Sequence, residues 1–198
     1  MINIASTQVK VFPVSTNRDS NSASRLFYEH NIANILRQVS DAKNGFIISG
    51  PSTFINDQSL TDNLELCIYG YYVKILAGTK IVIENASTNI NIVAGLKLTA
   101  ITVDDNDIIY QLNGQDDANG IDDGDSFQPL VINSFTDDQL SELKAVNFIE
   151  TSENSNDITV YLPIFKYNSE SQNYILCTDS LHKFESSSIK IVRIDGKR

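Results

Sequence analysis

Residues 90–103 read INIVAGLKLTAITV, and this stretch decides the fold class. Over residues 96–100 apolar residues alternate with Lys97 and Thr99, and Ile90 and Ile92 alternate in the same way with asparagines. Successive side chains of an extended strand point to opposite faces of a sheet. The pattern therefore predicts strands in a sheet that has one apolar face and one face in solvent.

Similar runs follow one another along the chain after Gly45, separated by Gly, Asn, Asp and Thr: FIIS, LELCIY, YYVKIL, KIVIE, INIVA, LKLTAITV and DIIYQL. They predict a meander-like succession of strands. ITVYLPIFKY and NYILC predict a hairpin, and IKIVRID a closing strand. The opening QVKVFPV, residues 8–14, predicts a strand that Pro13 confines to an edge or an end. We expect a mainly β fold of sandwich or barrel-like antiparallel sheets.

Two helices are expected beside the strands. Apolar residues recur at helical steps between residues 23 and 39, which predicts one N-terminal amphipathic helix ending at Asn44-Gly45. Its stripe contains Ala23, Leu26, Phe27, Ala33, Leu36 and Val39, widened by Ile32 and Ile35. A short second helix is predicted near residues 136–147, because Thr136 and Gln139 have the spacing of a capping box.

Composition limits the class of protein. The chain has 198 residues, a formal net charge of −10 and a pI near 4.5, which is unfavourable for binding nucleic acid or anionic membranes. Hydrophobic residues make up 41% of the chain, enough for a packed core. We predict one β-rich domain over residues 1–198, with an N-terminal strand-helix segment over about residues 1–44.

The N-terminus carries neither the basic region nor the apolar region of a secretory signal. The most apolar window, residues 67–78, is interrupted by Lys74 and is shorter than the ~20 residues of a membrane helix. These features predict a soluble protein made in a cytoplasm. Cys67 and Cys177 are interpreted as reduced, buried thiols, although their spacing leaves a disulfide open.

The acidic residues between 115 and 125 are the first candidates for a ligand site: Asp116, Asp117, Asp122, Asp123 and Asp125. Counted from Asp117, an EF-hand would need Gly at its sixth position and Glu at its twelfth, where the chain has Asp122 and Gln128. A solvated turn-rich loop is therefore favoured over a calcium site.

Catalytic chemistry has few candidates in the sequence. His30 and His182 are the only histidines, and neither has a base or nucleophile at a recognisable spacing. Phosphate-binding glycine loops and nucleophile-elbow motifs are absent. We predict no catalytic, cofactor-binding or metal-binding residues and no enzymatic activity.

Tyr69, Tyr71 and Tyr72 surround Gly70 and have two interpretations. Aromatic rings are common in strands, where alternate rings are buried. Exposed tyrosine faces would instead stack on a sugar. The first interpretation is favoured, and a sugar-binding groove stays open.

Five segments resemble poorly characterised virion proteins of tailed bacteriophages, which are encoded among tail, baseplate and fibre-attachment genes. They are KVFPVSTNRDS (residues 10–20), NIANILRQV (31–39), GYYVKI (70–75), YQLNGQDD (110–117) and KFESSSIKIVRIDGK (183–197). The resemblance implies a tail, collar, baseplate or fibre-attachment adaptor located in the virion. It also implies other virion proteins as partners and a homo-oligomer or ring.

Two other functions compete with this one. A carbohydrate- or receptor-binding module of a phage particle would use Tyr69, Tyr71 and Tyr72 together with the acidic loop. An enzyme acting on cell-wall polysaccharide would use paired carboxylates.

Overall fold

The computed structural model describes residues 9–12, 44–83, 90–103, 107–113, 129–152 and 156–177. Within these ranges the protein is mainly β, with antiparallel pairing and one helix. The strands are β1 (Val9–Phe12), β2 (Gly45–Ser49), β3 (Thr53–Phe54), β4 (Leu64–Ile68), β5 (Tyr71–Ile75), β6 (Asn91–Val103), β7 (Asp107–Leu112), β8 (Leu130–Phe135), β9 (Ile149–Thr151), β10 (Asp157–Asn168) and β11 (Asn173–Leu176). The helix, α1, is Asp137–Ala145.

A four-stranded sheet, here the small sheet, has the order β1-β5-β4-β2. Its centre is the β4–β5 hairpin, in which Leu66 pairs with Val73. The turn residues Tyr69 and Gly70 have φ angles of 52° and 87°, which is the type I′ geometry of a two-residue hairpin. Glycine adopts this conformation readily and tyrosine does not, but Tyr69 is buried and its ring packs edge-on against Tyr110 at 5.8 Å.

A seven-stranded sheet, here the large sheet, is built around β6 and β10. They pair over most of the length of β10, with a register shift between Pro163 and Phe165. Proline has no N–H to give to the ladder, so an irregularity at this position is expected. The far side of β6 pairs with β8 and then with β7. The far side of β10 pairs with β9 and β11, and β11 pairs with β3.

The inner faces of the two sheets share one apolar core. The small sheet contributes alternate residues of β4 and β5, and the large sheet contributes alternate residues of β6 and β10. Aromatic rings fill the core near β3, where Phe54 stacks on Tyr174 at 4.8 Å and meets Phe165 edge-on at 4.9 Å. The antiparallel sheets and the buried alternate residues follow directly from the period-two pattern.

Helix α1 lies on the other, outer face of the large sheet. Its buried Leu143 packs in a second apolar cluster with Val93 and Tyr161. The Thr136 side chain accepts a hydrogen bond from Gln139 N, and the Gln139 side chain accepts one from Thr136 N. The predicted short helix and its capping box are therefore confirmed. Val146 is the C-cap residue of the helix and is 52% exposed.

Several sequence predictions need correction. INIVA and LKLTAITV form one strand, β6, and not two. Residues 80–83 of KIVIE are not part of a strand, and a single bridge joins Lys80 to Ser59. The strand order departs from a meander, since spatial neighbours such as β1 and β5 are not consecutive. Asn91, expected in solvent, is 2% exposed because α1 covers that end of the face.

Other predictions are confirmed or fall outside the described ranges. β1 lies within the predicted opening strand, and β10 and β11 form the predicted hairpin. The predicted helix over residues 23–39 and the predicted closing strand IKIVRID both lie outside the described residues.

Candidate functional site

The surface with the clearest capacity to bind another protein runs along β2, the link of residues 50–52, β3 and the neighbouring β11. We call it the β2–β3 margin. The chain leaves the small sheet at Ser49 and enters the large sheet at Thr53. Gly50 permits the crossing, because a Cβ there would lie 2.6 Å from Leu64 Cδ1 and 3.5 Å from Leu176 Cδ1. The link thus passes tightly between one strand of each sheet.

The backbone of the margin offers strand edges. β2 ends the order of the small sheet and β3 ends the order of the large sheet among the described strands. β3 is held by pairing with Tyr174 and Ile175, and Leu176 N donates to Ser52 O at 2.9 Å. An edge strand has a row of N–H and C=O groups that can pair with another chain. The margin therefore has the backbone geometry for strand addition.

Exposed apolar side chains accompany these edges. Ile48, Ile55 and Ile175 are 44%, 49% and 37% exposed. Ile48 is the extra residue at the register shift of β2, between Ile47 and Ser49. Ile175 points outward because its neighbours Tyr174 and Leu176 are buried. An apolar side chain beside a strand edge adds buried apolar area when another chain pairs with that edge.

The polar groups under α1 hold the fold together. Tyr161 is 5% exposed and donates its hydroxyl to Glu150 Oε2 at 2.8 Å. Burial, followed by the hydrogen bond to Glu150, raises the pKa of Tyr161 well above its usual value. A phenol that stays protonated at high pH is a weak nucleophile and a weak acid. This pair therefore suits a structural role.

Two more hydrogen-bonded groups lie on the large sheet. Thr99 Oγ1 donates to Asp157 Oδ1 at 2.7 Å and accepts from Asn113 Nδ2 at 2.8 Å. Asn91 Nδ2 donates to Asp137 Oδ1 at 3.0 Å, and Lys166 Nζ reaches the same oxygen at 3.4 Å. The Asn91 hydrogen bond is the main cause that lowers the pKa of Asp137, followed in the same direction by Lys166. Each group links neighbouring elements of the sheet.

The outer face of the small sheet has one polar row and one apolar row. Lys74 Nζ lies 3.0 Å from Glu65 Oε1, and this contact lowers the pKa of Glu65. In the next row, the register aligns Phe46 with Cys67 and Cys67 with Tyr72. Cys67 is 7% exposed, and its burial raises the pKa of the thiol.

The predicted tyrosine cluster is divided by the fold. Tyr69 and Tyr71 are 8% and 1% exposed, as the core interpretation predicted. The Tyr71 hydroxyl donates to Tyr110 O at 3.1 Å. Tyr72 alone of the three lies on the outer face, half-buried beside Glu65. Two of the three rings are therefore not available to stack on a sugar.

Cys67 and Cys177 are free thiols, which removes the disulfide alternative; Cys67 is buried and Cys177 partly buried. His30, His182 and the acidic residues 115–125 lie outside the described residues. Among the residues that are described, no three His, Cys, Asp or Glu side chains gather in a group able to hold a metal ion. No helix within those ranges is long and apolar enough to cross a membrane.

Comparison of the chain with protein-family models, with curated proteins and with solved structures finds no match.

The margin was not among the sequence predictions, which named virion proteins as partners but no contact surface. Its one local signal is Gly50-Pro51 after FIIS, a pair that marks a break between strands. That break does not reveal that the chain changes sheets. The partners of Gly50, Leu64 and Leu176, are distant in sequence.

Proposed function

We propose that this chain is a structural subunit of a tailed-phage virion: a tail, collar, baseplate or fibre-attachment adaptor that works through contacts with other virion proteins or with its own copies. The observation that supports the proposal is the β2–β3 margin, which has two strand edges and three exposed isoleucines along it. Edges and apolar side chains are what one subunit needs to add to the sheet of another.

We also propose that the fold is a β-sandwich. Two antiparallel sheets contribute alternate residues to one core, and this supports a β-sandwich joined at one side by residues 50–52. In such a sandwich the margin is the side where the two layers are bridged. A ring of copies would place this side against its neighbour.

The test compares lysine substitutions of exposed apolar residues on and away from the margin. Ile175→Lys and Ile55→Lys put a charge on the margin, whereas Val146→Lys puts the same charge at the C-cap of α1, where Val146 is 52% exposed. Light scattering after gel filtration should show an oligomer for the wild type and for Val146→Lys. The oligomers of both margin variants should dissociate at protein concentrations at least about tenfold higher than those at which the wild-type oligomer dissociates.

Mass spectrometry of purified particles provides the second measurement. The protein should be present in several copies per particle. A wild-type protein that is monomeric at all concentrations and is missing from the particles contradicts the proposal.

A further inference from the structure

Strands β7 and β8 lie end to end along one edge of β6, while β10 pairs with the opposite edge. Both strands are antiparallel to β6, so they run in the same direction. The pairing with β7 ends where Leu112 faces Leu98. The pairing with β8 begins where Leu130 faces Leu96. Only Lys97 lies between the two paired stretches of β6.

The backbone hydrogen bonds of Lys97 are divided between the ends of the two strands. In an antiparallel ladder, a hydrogen-bonded pair of residues exchanges two bonds, each residue using its N–H and its C=O. Lys97 O accepts from Asn113 N at 3.0 Å, and Lys97 N donates to Pro129 O at 2.7 Å. Asn113 and Pro129 thus supply the donor and the acceptor that a single facing residue would supply. Proline has no N–H, and none is needed from it here.

The inward and outward positions also continue across the break. Leu112 of β7 packs against the main core, and so do Leu130 and Ile132 of β8. In one uninterrupted strand residue 114 would face Leu96, whereas the residue found there is Leu130, sixteen positions later. Each strand therefore has the faces that one continuous strand would have in the same register.

We propose that β7 and β8 are the two halves of one strand of the large sheet and that residues 114–129 are an insertion in it. The sheet then does not require these sixteen residues, which include five aspartates and no Lys or Arg. Segments inserted into a rigid scaffold commonly carry binding residues, and their sequence varies without loss of the fold. The proposal does not depend on the virion function.

Deletion of residues 114–129 tests the proposal. Asn113 is then joined to Leu130, and its own C=O takes the place of the Pro129 C=O beside Lys97. Folding no longer has to close the long connection between the two halves, which removes an entropic cost. The urea midpoint of the shortened protein should lie no more than about 0.3 M below that of the full chain.

A deletion that is one residue longer is the matched control. Removal of residues 113–129 joins Leu112 to Leu130 and keeps every residue of β7 and β8. One half of the strand must then shift by one position along β6, which turns its inward side chains to the other face. The midpoint should be at least about 1 M lower than that of the shorter deletion. Asn113→Ala in the full chain measures the separate effect of losing its side-chain bond to Thr99.

Replacement of residues 114–128 by a Gly-Ser chain of the same length is the second variant. It keeps the connection but removes the side chains, and it should have the same urea midpoint as the full chain. The proposal is overturned if the 114–129 deletion does not fold, because β7 and β8 then need a connection between them. Equal midpoints for the two deletions also overturn it, as does a replaced protein that loses its sheets by circular dichroism.

Discussion

Tyr161 lies directly over Gly95, its partner on the adjacent strand, so closely that a Cβ at residue 95 would approach Tyr161 Cε1 to 2.7 Å. The same Cβ would come within 2.9 Å of Val131 Cγ2. Tyr161 is fixed by α1 above it and by its hydrogen bond to Glu150. The glycine thus makes room for the ring that attaches the helix to the sheet.

Gly95→Ala should therefore destabilise the protein although alanine is the better strand residue. Overpacking of a fixed core typically costs about 1–3 kcal/mol. Urea denaturation measures the loss. In a Tyr161→Ala background the ring is absent, so Gly95→Ala should lower the free energy of unfolding by less than half as much as it does in the wild type. An equal loss in both backgrounds would show that the ring is not the obstacle.

The buried tyrosines predict a loss of stability at high pH. Burial raises the pKa of Tyr174 to about 12, with a smaller contribution from Tyr167. An unfolded tyrosine ionises near pH 10, so the unfolded state releases a proton that the folded state keeps. Stability is fully present below about pH 10 and falls as the pH rises toward 12.

Denaturation curves at several pH values in this window measure the slope, and tyrosinate absorbance follows the ionisation. Tyr174→Phe should make the slope less steep. Complete ionisation of the tyrosines near pH 10 in a protein that stays folded would rule out the raised pKa.

The capping box of α1 predicts a measurable cost for Thr136→Ala. This change removes the acceptor for Gln139 N at the first turn of the helix. Loss of such a cap typically costs about 1 kcal/mol. Ser141→Ala is the control, because Ser141 only donates to Asp137 O within the helix and its loss should cost less than about 0.5 kcal/mol. Equal losses for the two variants would contradict the role of the cap.

We expect a larger loss of stability when Asn56 is substituted, because its side chain makes the hydrogen bonds that a neighbouring strand would otherwise make. It donates to Ile83 O at 3.0 Å and accepts from Ile83 N at 2.7 Å. Asn56→Ala leaves both backbone groups without this partner, at a cost of about 1–3 kcal/mol. Asn56→Asp keeps the acceptor but puts a carboxylate against Ile83 O, so it should also destabilise.

Chemical denaturation again provides the measurement. Asn63→Ala removes a single exposed bond, from Ala77 N at 2.9 Å, and is the matched control. If Asn63→Ala lowers the free energy of unfolding as much as Asn56→Ala does, the pair of hydrogen bonds to Ile83 is no more important than a single exposed hydrogen bond.

Sequence reasoning succeeded where the determining interactions are local. The alternation around Lys97 and Thr99 depends only on the geometry of one strand, and it predicted strand structure at these residues and the face that is buried. The capping box of Thr136 and Gln139 spans three residues, and it predicted the start of α1. Both signals can be interpreted without knowledge of the rest of the chain.

Sequence reasoning was less successful where the local structure depends on contacts between residues that are distant in the sequence. The KIVIE run has strand-like composition, but Asn56, far away in the chain, holds Ile83 in place of a neighbouring strand. Asn91 fits a wet face by pattern and is buried by a helix that begins at Asp137. The margin also depends on long-range partners, because only the fold brings Gly50 close to both Leu64 and Leu176.

The link between Ser49 and Thr53 has a mechanical consequence. Residues 50–52 leave four peptide steps between Ser49 and Thr53, which span at most about 14 Å. A link this short limits how far the strand of one sheet can move relative to the strand of the other. Force applied to β2 should therefore pass into β3 and from there into the large sheet.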